Sequence, residues 1–246
     1  MGGYGDFAAV YDELTGNVDY AQRTDYLCSL FERFDKMPTL LLDLACGTGE
    51  FSCRMAQKGV SVIGVDLSPE MLTAAREKAA DCGVDILFLC QDAAELDLYG
   101  TVDGAICCLD SLNHITDYND FCAAISRVSL FLEKDRLFIF DLNTPYKHRE
   151  ILGNNTLVLD TEKVYCVWQN KYTENNTVEI SLDFFTEQDG AYYRSGESFC
   201  ERAYSDTEVK AALDKAGLRI EAIYAENTTL PPDAATQRII YVTRKI

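Results

Sequence analysis

Three carboxylates stand where short apolar runs end. Asp43 lies in Leu40-Leu41-Leu42-Asp43-Leu44, Asp66 closes Val62-Ile63-Gly64-Val65-Asp66, and Asp92 follows Leu89-Cys90-Gln91. The first run passes into Ala45-Cys46-Gly47-Thr48-Gly49-Glu50 and then a helix-compatible segment. Two glycines there let the backbone turn sharply and leave no side chain over the turn, and the helix beyond aims its free N–H groups at the same spot. This is a nucleotide-type pocket. A carboxylate at Asp66 can accept two hydrogen bonds from a ribose diol, and one at Asp92 can accept from an adenine amino group. A dinucleotide loop carries Gly-x-Gly-x-x-Gly, whereas here the series is Gly47, Gly49, Ser52, with acidic Glu50 where a pyrophosphate would be held. The loop therefore suits a cofactor without phosphate, and Asp43 suits a cationic one. A fourth run, Ile106-Cys107-Cys108-Leu109-Asp110-Ser111-Leu112-Asn113-His114, brings further polar groups over the crevice floor.

The elements that must position these residues are legible as alternating strands and helices. Helices are expected over 20–36, 50–58, 69–82 and 117–133, and strands over 40–44, 60–65, 84–90, 102–109 and 137–142. Ser68 is the expected N-cap of the 69–82 helix, with Pro69 in its first position and Gly83 at its end. Such βαβ units make a parallel sheet covered on both faces. From 156 to 203 the period changes to two. Val164, Cys166 and Trp168 alternate with Tyr165 and Val167, and Val178, Ile180, Leu182 and Phe184 alternate with polar neighbours. Three or four antiparallel strands follow from this. A helix over 205–216 and strands over about 219–225 and 236–245 close the chain.

Forty acidic residues against twenty-two basic ones give a net charge of -18. That field repels polyanions, and lysines and arginines are scattered, so nucleic acid is disfavoured as a partner. The ten cysteines include no Cys-x-x-Cys pair and the only histidines are His114 and His148, so no metal is expected and the cysteines read as small buried hydrophobes. No run approaches the roughly 18 apolar residues of a membrane helix, and no secretory signal is visible, so the cytoplasm is the expected location and no membrane partner is expected.

The segments Leu42-Asp43-Leu44-Ala45-Cys46-Gly47-Thr48-Gly49, Gly64-Val65-Asp66-Leu67-Ser68-Pro69-Glu70-Met71-Leu72, Gln91-Asp92 and Phe140-Asp141-Leu142-Asn143 resemble those of the class I S-adenosylmethionine-dependent methyltransferases. The opening Phe7-Ala8-Ala9-Val10-Tyr11-Asp12, the segment around Asp110 and the β-rich insertion are similar to a bacterial group of that family. The resemblance implies a doubly wound, mostly parallel seven-stranded sheet, a Rossmann-like methyltransferase fold, with an inserted small antiparallel β subdomain. Residues 1–145 and 204–246 would form the cofactor-binding domain, with 1–37 as a helical lid, and 146–203 the insertion, a substrate cap. It also implies the cofactor roles: Ala45, Cys46, Gly47, Thr48 and Gly49 along the methionine part, Asp66 on the ribose, Leu67 and Met71 near the adenine, Asp92 and Ala93 at its edge, and Leu109 below. The family's paired-glycine turn before the fifth strand is replaced by Glu133-Lys134-Asp135-Arg136.

Methyl transfer is an in-line displacement, so the protein mainly orients reactants and excludes water. A base is needed only when the nucleophile arrives protonated; Tyr11, Asp110 and His114 are the candidates. Trp168, Tyr165, Tyr172, Tyr192 and Tyr193 either line the acceptor pocket or build the insertion's own core. The expected activity is methylation of a small acceptor, neutral or cationic, such as an amine. A methyltransferase acting on RNA or protein, a non-catalytic S-adenosylmethionine-binding protein and an NAD-type oxidoreductase are the alternatives.

Overall fold

The computed structural model describes residues 5–246; residues 1–4 of the expected lid lie outside the described residues. The strands in chain order are β1 (Leu40–Leu44), β2 (Ser61–Asp66), β3 (Leu87–Cys90), β4 (Gly104–Cys107), β5 (Leu137–Asn143), β6 (Thr156–Asp160), β7 (Val164–Tyr172), β8 (Thr177–Gln188), β9 (Ala191–Arg202), β10 (Leu218–Ala225) and β11 (Arg238–Lys245). The α-helices are α1 (Gly5–Leu14), α2 (Tyr20–Phe34), α3 (Glu50–Gln57), α4 (Pro69–Cys82), α5 (Tyr118–Phe131) and α6 (Asp206–Lys215).

Seven strands form one sheet in the order β10-β11-β5-β4-β1-β2-β3. The five strands from β5 to β3 run parallel; β11 joins β5 antiparallel, and β10, antiparallel to β11, again runs in the direction of the five. The chain reverses its direction of winding between β1 and β4, which opens a crevice at the carboxyl ends of those strands. Alternation along each strand divides the core. Leu42, Leu44, Ala105, Cys107, Phe138 and Phe140 pack against α5 and α6, while Leu41, Ile106 and Ile139 pack against α2 and α3.

Local chemistry explains the boundaries. The Ser68 hydroxyl accepts from the Met71 N–H at 3.1 Å, and Gly83 closes α4 at φ +67°. Asp117 caps α5, and Ser205 with Glu208 forms a reciprocal capping box at α6. β3 is shorter than the period implies, because Val84 and Ile86 pack against the apolar face of α4 and pairing with β2 begins only at Leu87. β4 stops at Cys107 because Leu109 and Asp110 both take left-handed backbone conformations, at φ 57° and 54°. The substituted turn before β5 places Asp135 at φ 64° and lets Arg136 pair with Asp35 at 3.1 Å.

The second sheet, in the order β6-β7-β8-β9, is antiparallel throughout. Val164, Cys166, Val178, Ile180, Leu182 and Phe184 face inward, as the period-two pattern predicts. Val10 of α1 and Leu152 enter this same cluster, so the first helix and the insertion share one core. Leu152 comes from a helical turn over Lys147–Leu152, within the insertion expected over 146–203 but ahead of its period-two stretch. Trp168 and Tyr172 pack at the edge of the core, whereas Tyr165, Tyr192 and Tyr193 lie exposed. Cys53, Cys107, Cys122 and Cys166 are buried as expected, but Cys82, Cys90 and Cys200 are exposed and Cys28, Cys46 and Cys108 only partly buried.

Gly49 is the tightest point between glycine loop and core. It sits at φ +76°, and a Cβ there would meet Ala75 Cβ at 2.9 Å and the Phe88 ring at 3.3 Å. Replacing it with alanine combines left-handed strain of about 1–2 kcal/mol with overpacking of about 1–3 kcal/mol. Gly49→Ala should therefore lower the free energy of urea unfolding by about 2–5 kcal/mol, and an unchanged midpoint would contradict this packing.

Candidate active site

A cleft of about 410 Å³ opens at the carboxyl ends of β1, β2 and β3. It is lined by Ala45, Gly47, Asp66, Leu67, Met71, Asp92 and Ala93 from the first three strand ends, and by Tyr11 and His114 from above. A small adjoining cavity is walled by Asp43, Cys46, Thr48, Leu109 and Tyr11. The structure thus brings together the residues singled out in the sequence, with two exceptions. Gly49 lies behind the loop, packed on α4, and Asp110 lines neither cavity.

The glycine loop is held by the second strand. Ala45, Gly47 and Gly49 all have positive φ, at 54°, 55° and 76°. Cys46 N–H donates to the Val65 carbonyl at 2.9 Å, and Gly47 N–H donates to Asp66 Oδ2 at 2.8 Å. Asp66 Oδ1 accepts from Ser68 N–H at 2.9 Å. Each Asp66 oxygen therefore keeps acceptor capacity for a further donor, which fits a ribose diol. Burial raises the Asp66 pKa despite these backbone donors. Asp92 Oδ1 accepts from the Ala94 N–H at 2.8 Å, which fixes the short turn carrying Ala93. Below the loop, Asp43 is buried and accepts from the Ser52 hydroxyl at 2.5 Å; burial pushes its pKa up to about 7.

Helix α1 is fastened over this loop. Asp12 Oδ1 accepts from the Thr48 hydroxyl at 2.6 Å, and Asp12 Oδ2 lies 2.7 Å from Lys78 Nζ of α4. Lys78 also meets Glu50 at 3.0 Å. Burial alone would lower the Lys78 pKa, but the carboxylates of Asp12 and Glu50 outweigh it and raise it. Asp12 and Lys78 were not singled out in the sequence, and only the Asp12-bearing lid motif pointed toward them.

The other wall depends on a buried charge network. Asp141 on β5 accepts the Leu109 N–H at 2.8 Å and the Asp110 N–H at 2.6 Å, so one carboxylate holds both left-handed residues. Arg238 on β11 lies 2.6 Å from Asp141, 2.8 Å from Asp110 and 3.0 Å from Glu226. Burial would lower the Arg238 pKa, but the three carboxylates raise it well above its ordinary value. Asp110 also accepts from Asn143 Nδ2 at 2.6 Å. Burial would raise the Asp110 pKa; Arg238 and then Lys147 outweigh it and hold the carboxyl well below the usual carboxylate range. Asp110 is thus an ion-paired anion that lines neither cavity, an arrangement that favours a structural role over that of a base. Tyr11 is pushed the other way, well above its ordinary range, by burial and by Tyr20 and Asp110, so its hydroxyl keeps its proton. His114 ends the short helical turn Ser111–His114 that follows the strained pair, and its ring lies on the cleft wall.

Removing the guanidinium would leave Asp110 and Asp141 buried without their counter-charge. Breaking a buried pair from one side costs about 3–5 kcal/mol. Arg238→Leu should show a loss of that size in chemical denaturation; a loss below about 1 kcal/mol would place the network's weight elsewhere.

A family model described as "Methyltransferase domain" matches residues 41–131. The chain is 33% identical over 245 residues to YqeM of Bacillus subtilis (strain 168), whose name assigns it provisionally to the methyltransferases; the match covers 98% of this chain and 97% of the relative. It is similar to the crystal structure of an S-adenosylmethionine-dependent methyltransferase from Clostridium acetobutylicum, with a TM-score of 0.90, 32% identity and 98% of each chain covered. The sugar N-methyltransferase KedS8 from Streptoalloteichus shares the fold at a TM-score of 0.78 and 19% identity, over 94% of this chain and 90% of that one. With relatives of this kind matching nearly its whole length and the same seven-stranded sheet, this chain belongs to the S-adenosylmethionine-dependent methyltransferase family.

Proposed function

We propose that this enzyme methylates a small acceptor, neutral or cationic, with an amine as the favoured class, and that His114 takes the proton when the nucleophile arrives protonated. The cleft itself carries this reading. Asp66, Asp92, Asp117 and Asp120 line it, and among the described residues no lysine or arginine does. Such a wall suits a cation and repels phosphate. Among the described residues no helix is long and apolar enough to cross a membrane. A sugar N-methyltransferase built on the same fold is in keeping with an amine acceptor.

The bound cofactor supplies a methyl group already activated on a sulfonium. In this reading the 45–49 loop lies along its methionine part, Asp66 accepts from the ribose, and Leu67 and Met71 pack near the adenine while Asp92 and Ala93 meet its edge. Asp43 supplies negative charge near the cationic end, and Leu109 lies below. Tyr11, as a retained O–H, orients and covers the reacting groups from α1. Of the three candidate bases this leaves His114, because Tyr11 keeps its proton and Asp110, paired with Arg238 and outside the cavities, takes one poorly. Residues 5–37 act as the lid and residues 146–203 as the substrate cap of a domain formed by the remainder.

Release of S-adenosylhomocysteine should be measured against small amines and phenols in parallel with bulk RNA and protein. We expect turnover with a small amine; turnover with RNA or protein alone would overturn the reading. His114→Ala should lower kcat by about 10²–10⁴-fold, the range for general-base loss, while cofactor affinity stays constant. An unchanged kcat would remove His114 from that role.

Asp43 adds a pH signature. A nearby cation favours its ionised form, so cofactor binding should tighten by roughly tenfold between pH 6 and 8, one pKa unit being worth about 1.36 kcal/mol. Asp43→Asn should flatten that slope, and a flat wild-type profile would contradict the placement. In the free protein the sign reverses: the raised pKa contributes stability that is full below pH about 4 and is lost as pH rises through about 7.

A further inference from the structure

The chain has two histidines, 34 positions apart, and both converge on one carboxylate from the inserted sheet. Glu201 of β9 is 4% exposed. Its Oε1 lies 3.6 Å from His114 Nε2, and its Oε2 lies 3.5 Å from His148 Nε2. Asn143 Nδ2 donates to Oε2 at 3.3 Å. The histidine contacts are too long for hydrogen bonds but close enough for charge to decide which ring nitrogen carries a proton.

His148 is fully buried, and its Nδ1 lies 2.8 Å from the Asn176 carbonyl. A carbonyl only accepts, so Nδ1 must be protonated. Its Nε2 has no hydrogen-bond partner and faces Glu201. A lone pair there would be aimed at a carboxylate in a buried site, which is the costly arrangement. A proton on that nitrogen as well would make the ring the counter-charge of Glu201. Toward His114 the same carboxylate favours the Nε2–H tautomer, leaving Nδ1 as the nitrogen with a free lone pair. Phe199, two residues before Glu201 on the same face of β9, packs its ring 5.0 Å from that of His114. Thus β9 supplies both the charge and the surface against which His114 is held.

We propose that Glu201 is the positioning residue of the acceptor site: the inserted sheet carries it in to fix the tautomer and orientation of His114, with His148 as its buried counter-charge. This rests on the reading of His114 given above. As the acceptor's lone pair forms the new bond to carbon, the methyl–sulfur bond breaks with its electron pair going to sulfur. The acceptor's proton then passes to His114 Nδ1, while Nε2–H stays against Glu201. The insertion is in this way a working part of the site as well as a cover.

The test is long-range proton–nitrogen NMR of the full chain labelled at histidine, in which only two imidazoles appear and His114→Ala and His148→Asn assign them. The expected spectrum shows His114 as the Nε2–H tautomer and His148 protonated on both nitrogens. Glu201→Gln should shift both rings, mixing the tautomers of His114 and returning His148 to a singly protonated form. His114 found as the Nδ1–H tautomer, or both rings unmoved in Glu201→Gln, would overturn the proposal. If Glu201→Gln fails to fold, His148→Asn serves instead: removing the counter-charge should move the His114 nitrogens, and unmoved signals would again overturn it. These spectra need neither cofactor nor acceptor, so failure of Glu201 as positioner is distinguishable from failure of His114 as base.

Discussion

A single buried guanidinium determines where the acceptor side of this cleft stands. Leu109 and Asp110 occupy left-handed backbone conformations without being glycine, a strain of order 1–3 kcal/mol each that persists only where the surroundings over-determine it. The Asp141 carboxylate does so by taking both N–H groups, and Arg238 makes a bare carboxylate tolerable in the middle of the sheet. Without that pairing β4 would have no reason to stop at Cys107 and the chain would not swing Ser111–His114 across the crevice. The antiparallel strand β11 therefore contributes to this wall although two strands, β5 and β4, separate it from β1 and the glycine loop, since it delivers Arg238 opposite Asn143.

The cofactor side uses a different device. Its loop is held by backbone donors on Asp66 and is covered by α1, which two carboxylates and a lysine fasten at Asp12, Glu50 and Lys78. Val10 of that same helix enters the core of the inserted sheet, so the first helix and the insertion share one packed core. In the proposed function, water exclusion, the main demand of a displacement on an activated methyl group, would rest on this packing between the N-terminal helix and the insertion.

Local chemistry made much of this legible before any coordinates. The helix 69–82 is bounded by Ser68, Pro69 and Gly83, all short-range signals, and its ends match the structure. The inward face of the insertion follows from the alternation at Val178, Ile180, Leu182 and Phe184. Asp66 and Asp92 were visible because a strand end followed by a turn is a local pattern. What stayed hidden is non-local. Arg238 meets Asp141 across 97 positions and Glu201 meets Asn143 across 58, and nothing in the surrounding residues marks either partner. Asp110 looked like a base because a lone acidic residue at a strand end carries no sign of the arginine that neutralises it. The exposed Tyr165, Tyr192 and Tyr193 could not be told from pocket aromatics, since period-two patterning assigns a face but not what that face meets.

The measurement that bears most directly on the account is ligand-induced stabilisation of the wild type and of Asp66→Ala by S-adenosylmethionine, its demethylated product and NAD. At about one hundred times its dissociation constant a ligand adds roughly 2.7 kcal/mol to the folded state. Wild type should be stabilised to that extent by the first two and not by NAD, and Asp66→Ala should respond far less at the same concentration. Equal stabilisation of both proteins, or a response to NAD, would contradict the proposed role of the strand-end carboxylate in holding the cofactor.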